Sequence, residues 1–270
     1  MTDPDTKTVQ TRHGPMIGLA GDRYITRSLE VYGEFSGQEW DFLAQLVKPG
    51  MTVVEVGANI GAHSVPLARA CNPGPLYVFE PQQRVFQILC ANLALNGVKN
   101  ALAYPEASGE HQGFVVVPPL DYGADYNFGG VSVLPDSAGA QGQKVRVTPI
   151  DSLNLTACHL LKVDVEGFEV QVLRGAADTI RRLRPLLYVE NDRVAHQQEV
   201  ISLIAELGYR MYWDLPPLFR PDNFNGYPDD IFGRVCSLNI LGVPAERNTM
   251  VQYMELIDPD HWSSPLGRKR

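Results

Sequence analysis

The chain has 270 residues, with 23 Lys and Arg against 31 Asp and Glu, for a formal net charge of −8. Hydrophobic residues at 44 % and charged residues at 20 % exclude wholesale disorder, and a chain this long can bury about three quarters of its unfolded surface without disulfide or metal staples. The acidic balance argues against a general nucleic-acid binder, and no apolar run approaches the roughly 18 residues of a membrane span.

Residues 1–10 are polar and expected to fray. The opening Met1-Thr-Asp-Pro-Asp-Thr has neither the basic nor the apolar stretch of a leader, so the expectation is a cytoplasmic protein with no membrane attachment. From Met16 to Tyr32, short apolar runs broken by Gly18, Gly21 and Asp22 predict a β-hairpin. Ser36-Gly-Gln-Glu39 has the spacing of a capping box. The helix it opens, 39–47, carries Trp40, Leu43, Leu46 and Val47 on one face and stops at Pro49-Gly50. Residues 1–50 therefore read as a small N-terminal β/α cap.

Residues 51–245 read as one α/β domain. Strands are expected at 51–56, 76–79, 160–165 and 186–189. They alternate with a turn and helix at 59–70 and helices at 85–96, around Val170, Leu173, Ala177 and Ile180, and at 194–207. That rhythm predicts a Rossmann-like fold, a central mostly parallel sheet with helices on both faces. Residues 112–150, with strand-like 114–117 and 144–147, read as a β insertion. Residues 212–234, a long aromatic loop with Trp213, Phe219, Phe224 and Tyr227, read as a lid before a last strand at 235–243. Residues 246–270 read as a tail. Cys71, Cys90, Cys158 and Cys236 form neither a C-x-x-C pair nor a zinc-like cluster and read as reduced thiols.

The sharpest chemical signal is Glu55-Val-Gly57-Ala-Asn59-Ile-Gly61, directly after a strand and opening a helix. Glycines there let the backbone approach a ligand, and a helix N-terminus favours negative groups. Glu80 ends the next strand, where an acidic side chain can accept both hydroxyls of a ribose. The nicotinamide fingerprint G-x-G-x-x-G is not met, because positions 59 and 62 are Asn and Ala. The other familiar user of a glycine turn plus a strand-end carboxylate is S-adenosylmethionine. Further on, Lys162-Val-Asp164-Val-Glu166 places a carboxylate at a C-terminal strand end, in the crevice where α/β ligands bind. Asp164 is the first candidate for an active-site carboxylate, with capping of the following helix as the alternative for Asp164 and Glu166.

Several motifs in order and spacing resemble the FkbM-type methyltransferases: Glu-Val-Gly-Ala-Asn-Ile-Gly, Val-Phe-Glu-Pro, Asn92-Leu-Ala-Leu-Asn-Gly, Leu161-Lys-Val-Asp-Val-Glu-Gly-Phe-Glu, Leu173-Arg-Gly-Ala and Tyr188-Val-Glu-Asn. The resemblance runs from about residue 50 to 245. It implies a class I methyltransferase fold, S-adenosylmethionine as donor, and O-methylation of a sugar or natural-product hydroxyl. The common methyltransferase pattern has Gly at the place of Asn59, but Asn is frequent in the FkbM type. On this resemblance the turn (Glu55, Gly57, Asn59, Gly61) holds the methionine part, Glu80 holds the ribose, and Ser108 lies near the adenine.

Glu190 and Asn191 end the strand beside the one that carries Asp164. Together the three look like the metal-binding Asp…Asp-Asn set of catechol-type O-methyltransferases, whose hard oxygens suit a divalent cation such as Mg²⁺. Whether Glu190 binds a metal or acts unassisted as base is open at this level. His63, near the donor turn, and His159 and His196 carry no specific signal, and Asp125, Asn127 and Phe128 of the insertion could reach the mouth of the site. The expectation is therefore a cytoplasmic O-methyltransferase that uses Asp164, Glu190 and Asn191 on a hydroxylated small molecule, sugar or polyketide-like. No nucleic-acid partner is expected, and a homo-oligomer is left open. An N-methyltransferase and a non-catalytic donor- or sugar-binding module are the alternatives.

Overall fold

In the computed structural model, which describes residues 3–248 and 251–265, the chain opens with Thr6–Thr11 (β1) and Gly14–Leu19 (β2), an antiparallel hairpin. Ile25–Tyr32 (α1) and Gly37–Leu46 (α2) follow. The hairpin thus lies earlier than the apolar runs suggest, and residues 6–10 are strand, not frayed chain. The run Thr-Lys-Thr-Val-Gln-Thr is polar, yet its β-branched residues favour extended backbone. Asp22 is a helix-start residue: its carboxylate accepts the amides of Tyr24 (3.3 Å) and Thr26 (2.8 Å). Gly33, at φ 71°, ends α1 in the left-handed conformation. No capping box forms at α2, because the Ser36 side chain makes no cap bond and Glu39 is buried.

The main unit then runs through Val53–Val56 (β3), Ser64–Cys71 (α3), Leu76–Phe79 (β4), Gln83–Leu95 (α4) and Ala101–Tyr104 (β5). Gly113–Val117 (β6), Leu134–Pro135 (β7) and Gln143–Val147 (β8) form a separate three-stranded sheet in the insertion, ordered β7-β6-β8. Leu160–Val163 (β9), Glu169–Gly175 (α5), Ala177–Leu183 (α6), Leu186–Glu190 (β10), Gln197–Glu206 (α7), Tyr209–Asp214 (β11), Asn239–Pro244 (β12) and Glu255–Ile257 (β13) complete the order. The segment read as one helix around 170–180 is two, α5 and α6. Trp213 belongs to β11 and packs against Trp262, so the long loop starts only after Asp214. Part of the expected tail is the edge strand β13, paired with β11.

The main sheet has eight strands in the order β13-β11-β12-β10-β9-β3-β4-β5. Strands β10, β9, β3, β4 and β5 are parallel, and β12 runs antiparallel to both its neighbours. The four-residue strands β3 and β9 are buried throughout, as expected for central strands covered on both faces. One face carries α5–α7 and a core that includes Leu173, Ile180 and Ile204. The other carries α3 and α4, and here Met16, Leu29 and Leu43 of residues 1–50 share one core with Val53, Leu67 and Leu89. From β3 the chain moves outward through β4 to β5, then returns to β9 on the other side. The crevice above the ends of β3 and β9 is the topological switch point, where ligands of such sheets bind. No helix among the described residues is long and apolar enough to cross a membrane.

Candidate active site

The turn after β3 is held in a conformation that few residues tolerate. Gly57 (φ 85°), Asn59 (φ 50°) and Gly61 (φ 87°) all take positive φ. A Cβ on Gly57 would stand 1.7 Å from the carbonyl oxygen of Asp164, so only glycine lets the β3 turn abut the end of β9. Asn is among the residues that enter the left-handed region at modest cost. The turn is tied to β4 by Glu80, whose Oε2 accepts the Asn59 amide at 2.9 Å and whose Oε1 accepts the Gln82 amide at 2.8 Å. From below, Ser64 Oγ donates to Glu55 Oε2 at 2.5 Å. Burial pushes Glu80 and Glu55 each up to about 7.

Across the switch point, the end of β9 contributes Lys162, Asp164 and Glu166, and the end of β10 contributes Glu190 and Asp192. Lys162 is 2 % exposed, with Nζ 3.1 Å from Asp164 Oδ2 and 3.9 Å from Glu39 Oε1. Burial alone would lower it, but Asp164, Glu39 and Glu55 outweigh that and hold it above its ordinary value. Burial likewise pushes Asp164 up, and the Lys162 ammonium overcomes it, so Asp164 sits below the usual carboxylate range. Glu190, hydrogen-bonded to Asp164, goes the other way: burial, then Asp164 and Glu166, hold it well above that range. Asp164 therefore holds its proton less tightly than Glu190 does. Glu166, at φ 57°, is pushed up to about 7 by burial despite its ion pair with Arg193.

These groups line one cavity of about 330 Å³, within the range of small-molecule sites. Buried side-chain atoms without a partner include His63 Nε2, Ser108 Oγ and Glu190 Oε2, and all three residues line that cavity. Buried polar atoms are nearly always satisfied, so three orphans on residues around one space mark it as built for a polar ligand.

Of the residues expected from sequence, Glu55, Gly57, Asn59, Glu80, Ser108, Asp164 and Glu190 line the cavity. Gly61 stands behind it, where an added Cβ would meet Leu89 Cδ1 at 2.8 Å. Asn191 does not reach it: its Nδ2 donates to the Gln197 carbonyl at 3.5 Å, and its own carbonyl accepts Gln197 Nε2 at 2.8 Å. His159 is at the opposite, N-terminal end of the central strands, where Nδ1 accepts the Thr52 amide. His196 lines a neighbouring surface pocket with Arg193. Lys162 and Glu39 went unrecognised as site residues. A lysine inside the otherwise apolar Leu-Leu-Lys-Val strand was the available signal for the first, and nothing local distinguishes Glu39 from a capping residue.

The roof comes from the loop after β11 and from the N-terminal cap. Arg220 sets Nε and Nη2 on Glu34 at 2.6 and 2.9 Å and Nη1 on Asp41 at 2.5 Å. The Tyr32 hydroxyl donates to the Asp229 carbonyl and accepts the Ile231 amide, while its ring packs on Phe219 and Tyr227. The loop is latched down. The insertion closes the donor side, with Gln82 Nε2 donating to the Phe128 carbonyl at 2.9 Å.

Oxygen ligands for a divalent cation would be Asp164, Glu166 and Glu190, whose atoms lie within 4.8 Å of one another. That set does not fit a metal well. Lys162 already pairs with Asp164, and Arg193 with Glu166. Asn191, the third ligand expected from sequence, points elsewhere.

Comparison with known proteins agrees with this architecture. The profile of the methyltransferase FkbM domain matches residues 55–211. The chain is 27 % identical over 203 residues to the 31-O-demethyl-FK506 methyltransferase FkbM of Streptomyces tacrolimicus, covering 64 % of this chain and 78 % of that one. It is 25 % identical over 183 residues to the hexuronic acid methyltransferase AglP of Haloferax volcanii, covering 63 % and 67 %. Among solved structures, methyltransferase FkbM from Methylobacillus flagellatus matches with a TM-score of 0.44 and 16 % identity over 76 % of this chain, which spans half of that protein. The profile takes in the glycine turn, Glu80, Asp164 and Glu190, more than half of the sequence, and the chain belongs to the FkbM methyltransferase domain family.

Proposed function

We propose that this protein is an S-adenosylmethionine-dependent O-methyltransferase acting on a hydroxyl of a sugar or natural-product-like small molecule. One juxtaposition carries the proposal: the glycine turn with Glu80, and the Asp164–Glu190 pair, line a single cavity at the switch point of the sheet. The relatives act on 31-O-demethyl-FK506 and on a hexuronic acid; the first supports a natural-product hydroxyl as acceptor, and both are small molecules of the proposed kind rather than macromolecules.

The residues present fit the donor. Each oxygen of Glu80 accepts one backbone amide, which leaves lone pairs for the two ribose hydroxyls. The buried, unpartnered Ser108 Oγ suits a polar edge of the adenine, and the opened backbone at Gly57 and Asn59 gives room for the methionine part. Gly61 serves the turn conformation and Glu55 supports it from below through Ser64. The surplus of carboxylates favours a sulfonium cation.

When bound, S-adenosylmethionine supplies an electrophilic methyl group: the acceptor oxygen bonds to the methyl carbon as the carbon–sulfur bond breaks, leaving S-adenosylhomocysteine. Asp164 accepts the hydroxyl proton, and Lys162 keeps it a carboxylate able to do so. Glu190 orients the acceptor oxygen with the polar atom that no protein group satisfies. A positioned base contributes roughly 10²–10⁴-fold, with the rest from orientation in a closed site. No metal is part of this mechanism, because the candidate oxygens are already compensated.

The test is Asp164→Asn, assayed for methyl transfer from labelled donor to a panel of hydroxylated acceptors and for donor affinity by calorimetry. Transfer should fall on the order of 10²–10⁴-fold while donor affinity stays within about threefold. An equal loss of both would place Asp164 in the donor site and sink its assignment as base.

A further inference from the structure

We infer that the acceptor is an uncharged alcohol presenting an apolar face beside its hydroxyl, and that acceptors carrying a carboxylate or phosphate near that hydroxyl are rejected. This deepens the methyltransferase reading and rests on it. The cavity wall opposite the sheet is apolar: α1 gives Ile25, the segment before α2 gives Phe35, and the latched loop gives Leu218 and Val235. The loop is seated on the β10 side, where the Asn191 amide donates to the Leu238 carbonyl at 2.7 Å and Pro217 bridges to Cys236. The loop part of the wall, Leu218 and Val235, therefore lies toward the Asp164–Glu190 end of the site, while Ile25 stands beside Gly129 on the donor-turn side.

The charge around that end is one-sided. Asp164, Glu166, Glu190 and Asp192 line the cavity there, against Lys162 as the one Lys or Arg among its described lining residues; with Arg193 that makes four carboxyl groups to two cations. Lys162 is buried between Asp164 and Glu39 and has no free face for an anion. Arg193 is turned onto Glu166 and Asp192 and lines the neighbouring pocket, and Arg234, exposed beside Val235, is not among the lining residues. An anionic acceptor would find both Lys162 and Arg193 already engaged by carboxyl groups and would meet the surplus of those groups, in a chain whose net charge is −8. One fixed carboxylate near a bound anion weakens it on the order of a hundredfold at an effective dielectric of about 20. A neutral acceptor loses nothing and gains the wall.

The wall is also preformed. Arg220 holds the loop to Glu34 and Asp41 by three short bonds, so ordering it costs the acceptor little. Ile25, Phe35, Leu218 and Val235 all lie outside the residues 55–211 that define the family. Acceptor preference can therefore differ from that of a hexuronic acid enzyme while the donor half stays the same.

The experiment has two stages on the full chain. S-adenosylhomocysteine is titrated first by calorimetry. The saturated protein is then titrated with hexyl β-glucoside and with hexyl β-glucuronide, which share chain and ring and differ by one carboxylate. The glucoside should bind at least tenfold more tightly than the glucuronide. Val235→Lys, at a site 39 % exposed that tolerates a long side chain, should narrow that gap at least tenfold. Equal or tighter binding of the glucuronide, no binding of either glycoside, or a gap unmoved by Val235→Lys would overturn the inference. If S-adenosylhomocysteine itself fails to bind, the methyltransferase reading falls and takes this one with it. Donor binding with a glucuronide preference overturns the acceptor class alone.

Discussion

Replacing Glu80 with Ala removes the group that joins the turn to β4 and, in the proposed function, the acceptor of both ribose hydroxyls. The two effects separate. Hydrogen bonds to a charged partner contribute about 1.5 kcal/mol each at the low end, so losing two weakens the donor by about 3 kcal/mol, or about a hundredfold in Kd. In the unliganded protein the variant strands the amides of Asn59 and Gln82, bound at 2.9 and 2.8 Å. The cavity lets water reach them, so the stability cost is about 1–2 kcal/mol, less than for dry orphans. For a chain of this length that lowers Tm by about 2–8 °C. Calorimetric titration with S-adenosylmethionine should be run at pH 8, since burial pushes Glu80 up to about 7 and the carboxylate is the better acceptor above that. A folded variant whose Kd stays within about threefold of the parent would refute the ribose role and leave Glu80 as a brace for the turn.

Gly57→Ala must move either the turn or the end of β9, because its Cβ would stand 1.7 Å from the Asp164 carbonyl at φ 85°. It should cost about 3 kcal/mol or more, and a Tm within about 2 °C of the parent would contradict the close approach. Arg220→Met leaves Glu34, 4 % exposed, without its bidentate partner. Arg12, 3.4 Å away, softens the loss to about 2–4 kcal/mol, and limited proteolysis should cut residues 221–235 faster; unchanged cleavage would mean the loop is not latched by this pair. Glu39, Glu55, Glu80 and Glu166 are each pushed by burial up to about 7. Each binds its proton more tightly folded than unfolded, so the stability it contributes is full below about pH 4.5 and is lost as pH rises through 7. The Tm of the unliganded protein should accordingly fall between pH 5.5 and 8, and fall less in Glu55→Gln; a Tm that rises over that window would show these carboxyls are not desolvated. Chelator should leave methyl transfer unchanged, and a loss above about tenfold that Mg²⁺ restores would return Asp164, Glu166 and Glu190 to the role of metal ligands.

The latched roof also bears on how the site is enclosed. Phe224 and Tyr227 are exposed while Phe219 and Tyr227 pack on Tyr32, so the loop after β11 is anchored at its middle by Arg220 and Tyr32. A loop so held acts as a wall, and the insertion around Asn127 and Gly129, pinned through Tyr126 and Phe128, lines the same cavity from the donor side.

Local pattern was enough for the α/β architecture, because a buried parallel strand is a short apolar run and a covering helix is an amphipathic one. Strand β4 and the insertion strands were legible on those grounds, as was the donor turn, whose glycines and Asn59 announce an unusual backbone. The expected hairpin and capping box failed for a common reason. Asp22, Ser36 and Glu39 are polar residues whose local signals describe turns and caps, yet Asp22 caps α1 and Glu39 is buried beside Lys162. Tertiary structure alone decided which strand-end oxygens share the site. Asn191 follows Glu190 directly, but successive residues leave a strand end in different directions, and its amide is taken by α7. Glu39, 123 residues before Lys162 in sequence, joins the site because α2 packs over the sheet on the side where Lys162 emerges. The opposite shifts of Asp164 and Glu190 likewise arise only once burial and the Lys162 ammonium act together, since each carboxyl in the unfolded chain would titrate in its ordinary range.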